Sequence, residues 1–256
     1  MKFKLLSVLL FPLLVMAQNQ PTERTLHENW EFSSNSNTLK GSATVPGNIH
    51  TDLWNAEIIE DPYKGTNELN YQWIQDSTWV YTTTFQVSEQ ELASHLVFLE
   101  FEGLDTYATI YLNEMEIGKS DNMFLAWQNE VKTWLKEGTN SLKVVFKSPY
   151  EVHAETAKNL GYQLPASNDA GDKKISPWVR KAPYHFGWDW APKFTTCGIY
   201  MPVNLVFKNE TFIEEVYVYT SSVSEKKAVL EYEITLNQPP EKLDYTLELS
   251  DTEGSY

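Results

Sequence analysis

Apolar side chains in this chain recur at every second position, and that spacing commits most of it to sheets. From Trp79 to Val87 the odd positions carry Trp79, Tyr81, Thr83, Phe85 and Val87, with Val80, Thr82, Thr84 and Gln86 between them. Successive side chains of a strand point to opposite faces, so this register buries one face. Between Asn140 and Lys147 the alternation sets Leu142, Val144 and Phe146 inward and Lys143 and Lys147 outward. Leu96-Val97-Phe98-Leu99 is a continuous apolar run, which suits a strand covered on both faces. Tyr107 to Leu112 is β-rich, and Asn113-Glu114 predicts a turn into a return strand at Met115-Glu116-Ile117. Helical spacing is thin. A short helix is predicted over residues 48–56, stopped by Asp61-Pro62-Tyr63, and one turn over residues 131–136, ended by Gly138. The remainder reads as strands joined by loops, an all-β sandwich of jelly-roll type.

The flanks of this sandwich differ from it. Lys2 and Lys4 precede an apolar run from Leu5 to Met16, and Val15-Met16-Ala17 has the small-x-small form of a cleavage site. These features predict an export leader over residues 1–17, and hence a periplasmic or secreted product. The apolar run is too short to span a bilayer comfortably, and Gln18-Asn19-Gln20 follows it. A jelly-roll domain is expected over residues 22–210. A second unit opens near Thr211. Its strands are Val216-Tyr217-Val218-Tyr219, then Leu230, Tyr232, Ile234 and Leu236 by alternation, then Tyr245, Leu247 and Leu249 after Pro239-Pro240. A closed sandwich needs about seven strands, so residues 211–256 read as an incomplete one.

Acidic residues outnumber basic ones 35 to 20, for a formal net charge of −15. Such a field repels nucleic acid and anionic lipid, so neither nucleic acid nor membrane is an expected partner. The single cysteine, Cys197, excludes an internal disulfide and reads as a small buried apolar residue. The five histidines are scattered, with no metal-ligand spacing. No metal and no cofactor are expected, although a calcium held by oxygens alone leaves no such spacing.

Between Pro149 and Pro202 alternation gives way to Tyr, Trp, His, Pro and Gly. Leaving Trp178, Tyr184, Phe186, Trp188 and Trp190 in water is costly, which predicts an ordered excursion with a binding role. Its centre is His185-Phe186-Gly187-Trp188-Asp189-Trp190-Ala191-Pro192. Indoles offer flat faces to the C–H side of a sugar ring, and a carboxylate accepts hydrogen bonds from its hydroxyls. Asp189, Trp188 and Trp190 are therefore the candidate substrate-binding residues. A regular strand would turn the tryptophans one way and the aspartate the other, so for the carboxylate and an indole to reach one sugar the backbone must bulge or turn, which Gly187 permits; a plain strand would present only Asp189 or only the tryptophans.

Several segments carry a resemblance. They are Leu26-His27-Glu28-Asn29-Trp30-Glu31-Phe32; Val45-Pro46-Gly47-Asn48-Ile49-His50-Thr51-Asp52-Leu53 with Asp61-Pro62-Tyr63; Glu102-Gly103-Leu104-Asp105-Thr106 with Ile110-Tyr111-Leu112-Asn113; and Arg180-Lys181-Ala182-Pro183-Tyr184 leading into Phe186-Gly187-Trp188-Asp189-Trp190. From about Thr22 onward the chain resembles the N-terminal part of the β-mannosidases, in the glycosidase family they share with β-galactosidases and β-glucuronidases. The resemblance implies a jelly-roll, then an immunoglobulin-like sandwich, then a (β/α)8 barrel with two glutamates that perform a retaining double displacement. The region matching that barrel lies beyond Tyr256, so no catalytic residue is assigned in this chain, and the piece is expected to be inactive alone. It implies a β-mannoside or manno-oligosaccharide as substrate and the barrel as partner, with Trp188, Asp189 and Trp190 lining the pocket for the terminal mannose.

Other readings stay open. A stand-alone carbohydrate-binding module would use the same aromatics without chemistry, and a β-galactosidase or β-glucuronidase relative would keep the class and change the sugar. Asp189 could instead satisfy backbone donors while the tryptophans fill a seam between domains. Arg180 and Lys181 read as a solvated pair, His185 as a supporting donor or a satisfied loop histidine, and Asp105 and Asn113 as turn caps. Asn209-Glu210-Thr211 matches a glycosylation sequon.

Overall fold

A computed structural model of the protein describes residues 23–162, 164–167, 169–170, 173–208, 211–224 and 227–237. The leader, the sequon asparagine, Pro239-Pro240 and the strand expected at Tyr245, Leu247 and Leu249 lie outside the described residues. In chain order the first strands are β1 (Glu23–Thr25), β2 (Glu31–Ser34) and β3 (Lys40–Ser42). Helices α1 (Ile49–Asn55) and α2 (Asn67–Asn70) follow, then β4 (Trp79–Val87), α3 (Glu89–Leu92) and β5 (Leu96–Phe101). Next come β6 (Leu104–Asp105), β7 (Tyr107–Leu112), β8 (Met115–Ser120), β9 (Trp127–Glu130) and β10 (Gly138–Lys147). Helix α4 (Pro149–Asn159) opens the excursion, and β11 (Gly198–Ile199), β12 (Val203–Lys208), β13 (Ile213–Val223) and β14 (Ala228–Leu236) complete the order.

Two antiparallel sheets form the sandwich, one ordered β1-β12-β5-β9 and the other β3-β2-β4-β10-β7-β8. The chain changes sheet between β4 and β5, between β5 and β7, and on either side of β9, as a jelly-roll requires. The alternation predicted for residues 79–87 is realised, with every odd residue of β4 buried. In β10, Leu142, Val144 and Phe146 are fully buried, in register with Thr83, Tyr81 and Trp79. Each large side chain sealed between the sheets stabilises the fold by roughly 1.5–3 kcal/mol. The buried indoles keep their N–H groups satisfied: Trp79 Nε1 donates to the Ile74 carbonyl at 3.0 Å, and Trp30 Nε1 to that of Leu26 at 2.9 Å.

Three local expectations need comment. The run at Leu96 is covered fully on one face only: Val97, Leu99 and Phe101 are buried, while Leu96, Phe98 and Glu100 are half-exposed. Phe98 instead meets Phe212 edge-on at 5.9 Å. The turn at Asn113-Glu114 has φ of 49° and 68°, the mirror-image turn that matches strand twist. Asn113 holds it in place by accepting from the Ser141 N–H at 3.0 Å and donating to the Trp134 carbonyl at 2.8 Å. Helix α4 falls where the sequence predicts irregular chain. Ser148 caps it by accepting from the Tyr150 N–H at 3.1 Å, and Pro149 stands at the first helical position, a start signal the missing apolar stripe obscured.

Strands β13 and β14 make a separate two-stranded ribbon, with Val216, Tyr217 and Val218 all exposed. Among the described residues no helix is long and apolar enough to cross a membrane.

Candidate functional site

The excursion between β10 and β12 builds a small core of its own from Tyr150, Ile175, Val179 and Phe186. Phe186 is wholly buried there, and its carbonyl accepts from the Ala170 N–H at 2.9 Å. A 3-10 turn over Pro183–Phe186 delivers the chain to Gly187, whose φ of 114° and ψ of 162° lie in a region open essentially to glycine alone. The next four residues close a tight turn: Trp188 bridges Ala191, whose N–H donates to the Trp188 carbonyl at 3.4 Å. Asp189 and Trp190 are its two central residues. The segment is thus a turn at a glycine pivot, and the opposed directions of a regular strand do not apply.

All three predicted residues are exposed at this turn. Trp190 is 84% exposed and Trp188 42%, far from the sealed tryptophans of the sandwich. Asp189 is exposed, and among the described residues it makes no hydrogen bond or ion pair, so it does not serve as a cap for loop donors. Trp190 also forms one wall of a cleft of about 490 Å³, shared with Asn48, Thr51 and Trp54 at α1, and with Tyr63 and His185. Trp188 and Asp189 do not line that cleft. Phe194 floors it, edge-on to Tyr63 at 5.3 Å and to His50 at 5.2 Å.

Among the described residues that line the cleft, none carries a formal charge. Burial, with Lys181 nearby as the next cause, pushes the His50 pKa down to about 3 and that of His185 to about 4, so both rings are neutral at physiological pH. Thr196 Oγ1 donates to Asn48 Oδ1 at 3.3 Å and therefore accepts from His50 Nδ1 at 2.9 Å. His185 Nδ1 donates to the Phe194 carbonyl at 3.3 Å. Each imidazole thus carries its proton on Nδ1 and keeps Nε2 as an acceptor. Of the two readings for His185, this bond supports a satisfied loop histidine.

Beneath this floor lies an ion pair the sequence did not announce. Lys181 Nζ donates to Asp105 Oδ2, and also to the Thr196 carbonyl at 3.0 Å, with the two side chains 1% and 3% exposed. Burial lowers the Lys181 pKa and the Asp105 carboxylate opposes that shift. The expected solvated pair of Arg180 and Lys181 is therefore corrected for Lys181. Arg180 is exposed and reaches Asp121 at 2.9 Å, whereas Lys181 turns inward to Asp105 and is buried, as Val179 and Ala182 are. Asp105 is likewise no turn cap. It sits in β6, paired with β11, and its one legible signal was an acid within an otherwise β-forming stretch. A second buried acid, Asp52 in the first turn of α1, accepts from the Thr44 N–H at 2.9 Å and Tyr81 Oη at 2.7 Å, and burial raises its pKa.

Cys197 packs against the sandwich core, and burial pushes its thiol far above the range of a nucleophile. Among the described residues no group of three or more His, Cys, Asp and Glu side chains could hold a metal ion.

Known proteins place this geometry. Residues 30–201 match the family described as glycosyl hydrolase 2 galactose-binding domain-like. A probable β-mannosidase of Caenorhabditis elegans is 34% identical over 192 residues, which is 72% of this chain and 21% of the relative. β-Mannosidase B of Thermothelomyces thermophilus is 36% identical over 199 residues, 76% of this chain and 23% of the relative. The crystal structure of β-D-mannosidase from Dictyoglomus thermophilum superposes with a TM-score of 0.77 at 40% identity, covering 84% of this chain and 26% of that one. The chain thus spans between a fifth and a quarter of the length of the curated relatives named here. With two thirds of its residues inside one domain profile, the chain belongs to the glycosyl hydrolase 2 family and forms that family's N-terminal, galactose-binding-like β-sandwich.

Proposed function

We propose that this chain is the N-terminal portion of an exported retaining β-mannosidase, and that its turn at Trp188, Asp189 and Trp190 forms one wall of the pocket for a terminal, non-reducing β-D-mannose. The observation that carries the reading is an unpartnered carboxylate on an exposed turn between two exposed indoles, in a chain whose relatives are β-mannosidases. Exposed indoles keep apolar surface in water, a cost that a covering sugar face or adjoining domain removes. Asp189 would accept hydrogen bonds from ring hydroxyls and fix the anomeric carbon against the two barrel glutamates, one acting as acid/base and the other as nucleophile. A displacement of that ring by about 1 Å costs roughly 100-fold in rate, which is why a residue far from the bond broken can govern turnover.

The reading is tested in the whole enzyme with a chromogenic β-mannoside. Asp189→Ala is expected to lower kcat/KM by about 100-fold with the melting temperature unchanged. An unchanged kcat/KM would remove the turn from the pocket. The isolated chain is expected to show no turnover and no calorimetric heat with mannose. Binding of manno-oligosaccharides by the chain alone, lost in Trp190→Ala, would favour a self-sufficient binding module.

A further inference from the structure

The turn that carries Asp189 also serves a second space. Trp190 walls the cleft of about 490 Å³, whereas its chain neighbours Asp189 and Trp188 do not line it. The cleft is thus distinct from the place proposed for the terminal ring and adjoins it, since successive Cα atoms lie only about 3.8 Å apart. Its other walls include Trp54 and Tyr63, both exposed, so three flat aromatic faces stay in contact with water. The volume falls within the range of small-ligand sites.

Polar groups complete the lining. His50 Nδ1 donates to Thr196 Oγ1 at 2.9 Å and His185 Nδ1 to the Phe194 carbonyl at 3.3 Å. Nε2 of each neutral ring is left as an acceptor, with no partner among the described residues. Asn48 Oδ1 accepts from the Thr51 N–H at 3.2 Å and from Thr196 Oγ1 at 3.3 Å, which leaves the Asn48 amide nitrogen to donate. A ligand that suits this lining offers C–H faces to the aromatics, hydroxyl donors to the imidazoles and an oxygen to Asn48. A neutral pyranose offers all three. A carboxylate brings acceptors to acceptors and meets no cation among the described lining residues. An apolar segment of an adjoining domain would cover the indoles but bury the imidazole acceptors unpaired, which is costly.

We infer that this cleft holds the second ring of the substrate, a neutral sugar on the leaving-group side of the bond that is cleaved. The inference rests on the reading that the turn at Asp189 holds a terminal mannose. A non-reducing terminal ring has a sugar neighbour on one side only, so a sugar site beside it receives the ring to which the mannose is attached. Asp189 then serves the first ring, Trp54 and Tyr63 the second, and Trp190 stands between them. Binding energy from a ring remote from the reacting carbon raises the rate when it helps to place that carbon, which a wall shared by both rings allows.

The test uses the whole enzyme and two substrates, β-1,4-mannobiose and methyl β-D-mannoside, in which a methyl group replaces the second ring. Released mannose is measured for both. The wild type is expected to cleave mannobiose with a kcat/KM at least about tenfold higher. Trp54→Ala, an exposed change, is expected to lower kcat/KM for mannobiose at least about tenfold and to leave methyl mannoside within about twofold, with the melting temperature unchanged. Trp54→Phe keeps a flat ring and is expected to retain most of the preference. Equal kcat/KM for the two substrates in the wild type, a Trp54→Ala enzyme that keeps the preference, or one that slows both substrates alike would overturn the inference. A lower melting temperature with the preference intact would also overturn it, and would mark the cleft as a seam for an adjoining domain. Asp189→Ala separates this inference from the reading beneath it, because it is expected to slow both substrates. If it slows neither while Trp54→Ala still removes the preference, the assignment of Asp189 fails and the second-ring site stands.

Discussion

Trp79 lies wholly buried between the sheets, edge-on to Phe32 at 6.2 Å with its N–H satisfied, whereas Trp190 stands 84% exposed on a turn. The contrast extends to their surroundings. The sandwich seals Trp30, Phe32, Trp79, Tyr81, Phe101 and Phe146 in a continuous core. Among the described residues the excursion buries two of its aromatics, Tyr150 and Phe186, in its small core and displays Tyr184, Trp188 and Trp190. One region converts aromatic area into stability, and the other is stable enough to hold aromatic area in the open. Tyr107 of the sandwich packs on that small core, and a buried polar link joins the two regions as well: Lys181 of the excursion bonds Asp105 of the sandwich.

That joint gives the largest expected effect. Asp105→Asn leaves the Lys181 ammonium buried without a counter-charge, and chemical denaturation is expected to report a loss of about 3–5 kcal/mol. Adding Lys181→Met in the same chain should recover a substantial part, because no buried charge then remains unpaired. If Asp105→Asn melts like the wild type, the excursion is not anchored through this pair.

Most of the sandwich was legible before any coordinates, and the excursion was legible only in part. Residues 79–87, 107–112 and 140–147 follow a period of two because each strand has one buried face, and a local rule suffices. Gly187 marked where a bulge or turn was possible, for an equally local reason, while a plain strand stayed open. Lys181 and Asp105 did not announce each other, because 76 residues separate them and only the folded topology brings them together. His50 and Thr196 are 146 residues apart and were hidden in the same way.

A smaller effect separates the regions by pH. The unfolded chain protonates His50 and His185 near 6.5, but the folded chain keeps them neutral down to about 3 and 4. Because both folded values are depressed, the stability these groups contribute is full above about pH 6.5. It falls as acid is added, by up to about 1.4 kcal/mol per histidine per pH unit. Asp52, raised by burial, acts in the opposite sense and favours the folded state in acid. Urea unfolding at pH 7, 5.5 and 4.5 is expected to show this decline, and to show a shallower one in the His50→Gln, His185→Gln double variant. An identical slope in the two proteins would mean that other groups carry the acid sensitivity.

The smallest expected effect is the most discriminating, because it sets the two tryptophans against each other. Trp79→Ala removes a wholly buried indole and leaves a cavity, at about 3–5 kcal/mol. Trp190→Ala removes the same atoms from solvent, and its expected change in stability is within about 0.5 kcal/mol. The glycine pivot and the bond from Ala191 to Trp188 are main-chain features that survive the change, so the turn should keep its shape. A melting temperature equal to the wild type, together with weakened mannoside turnover in the whole enzyme, would mark Trp190 as held in the open for contact. A drop comparable to that of Trp79→Ala would instead show that the indole props the turn, and the difference between the two regions would be one of degree.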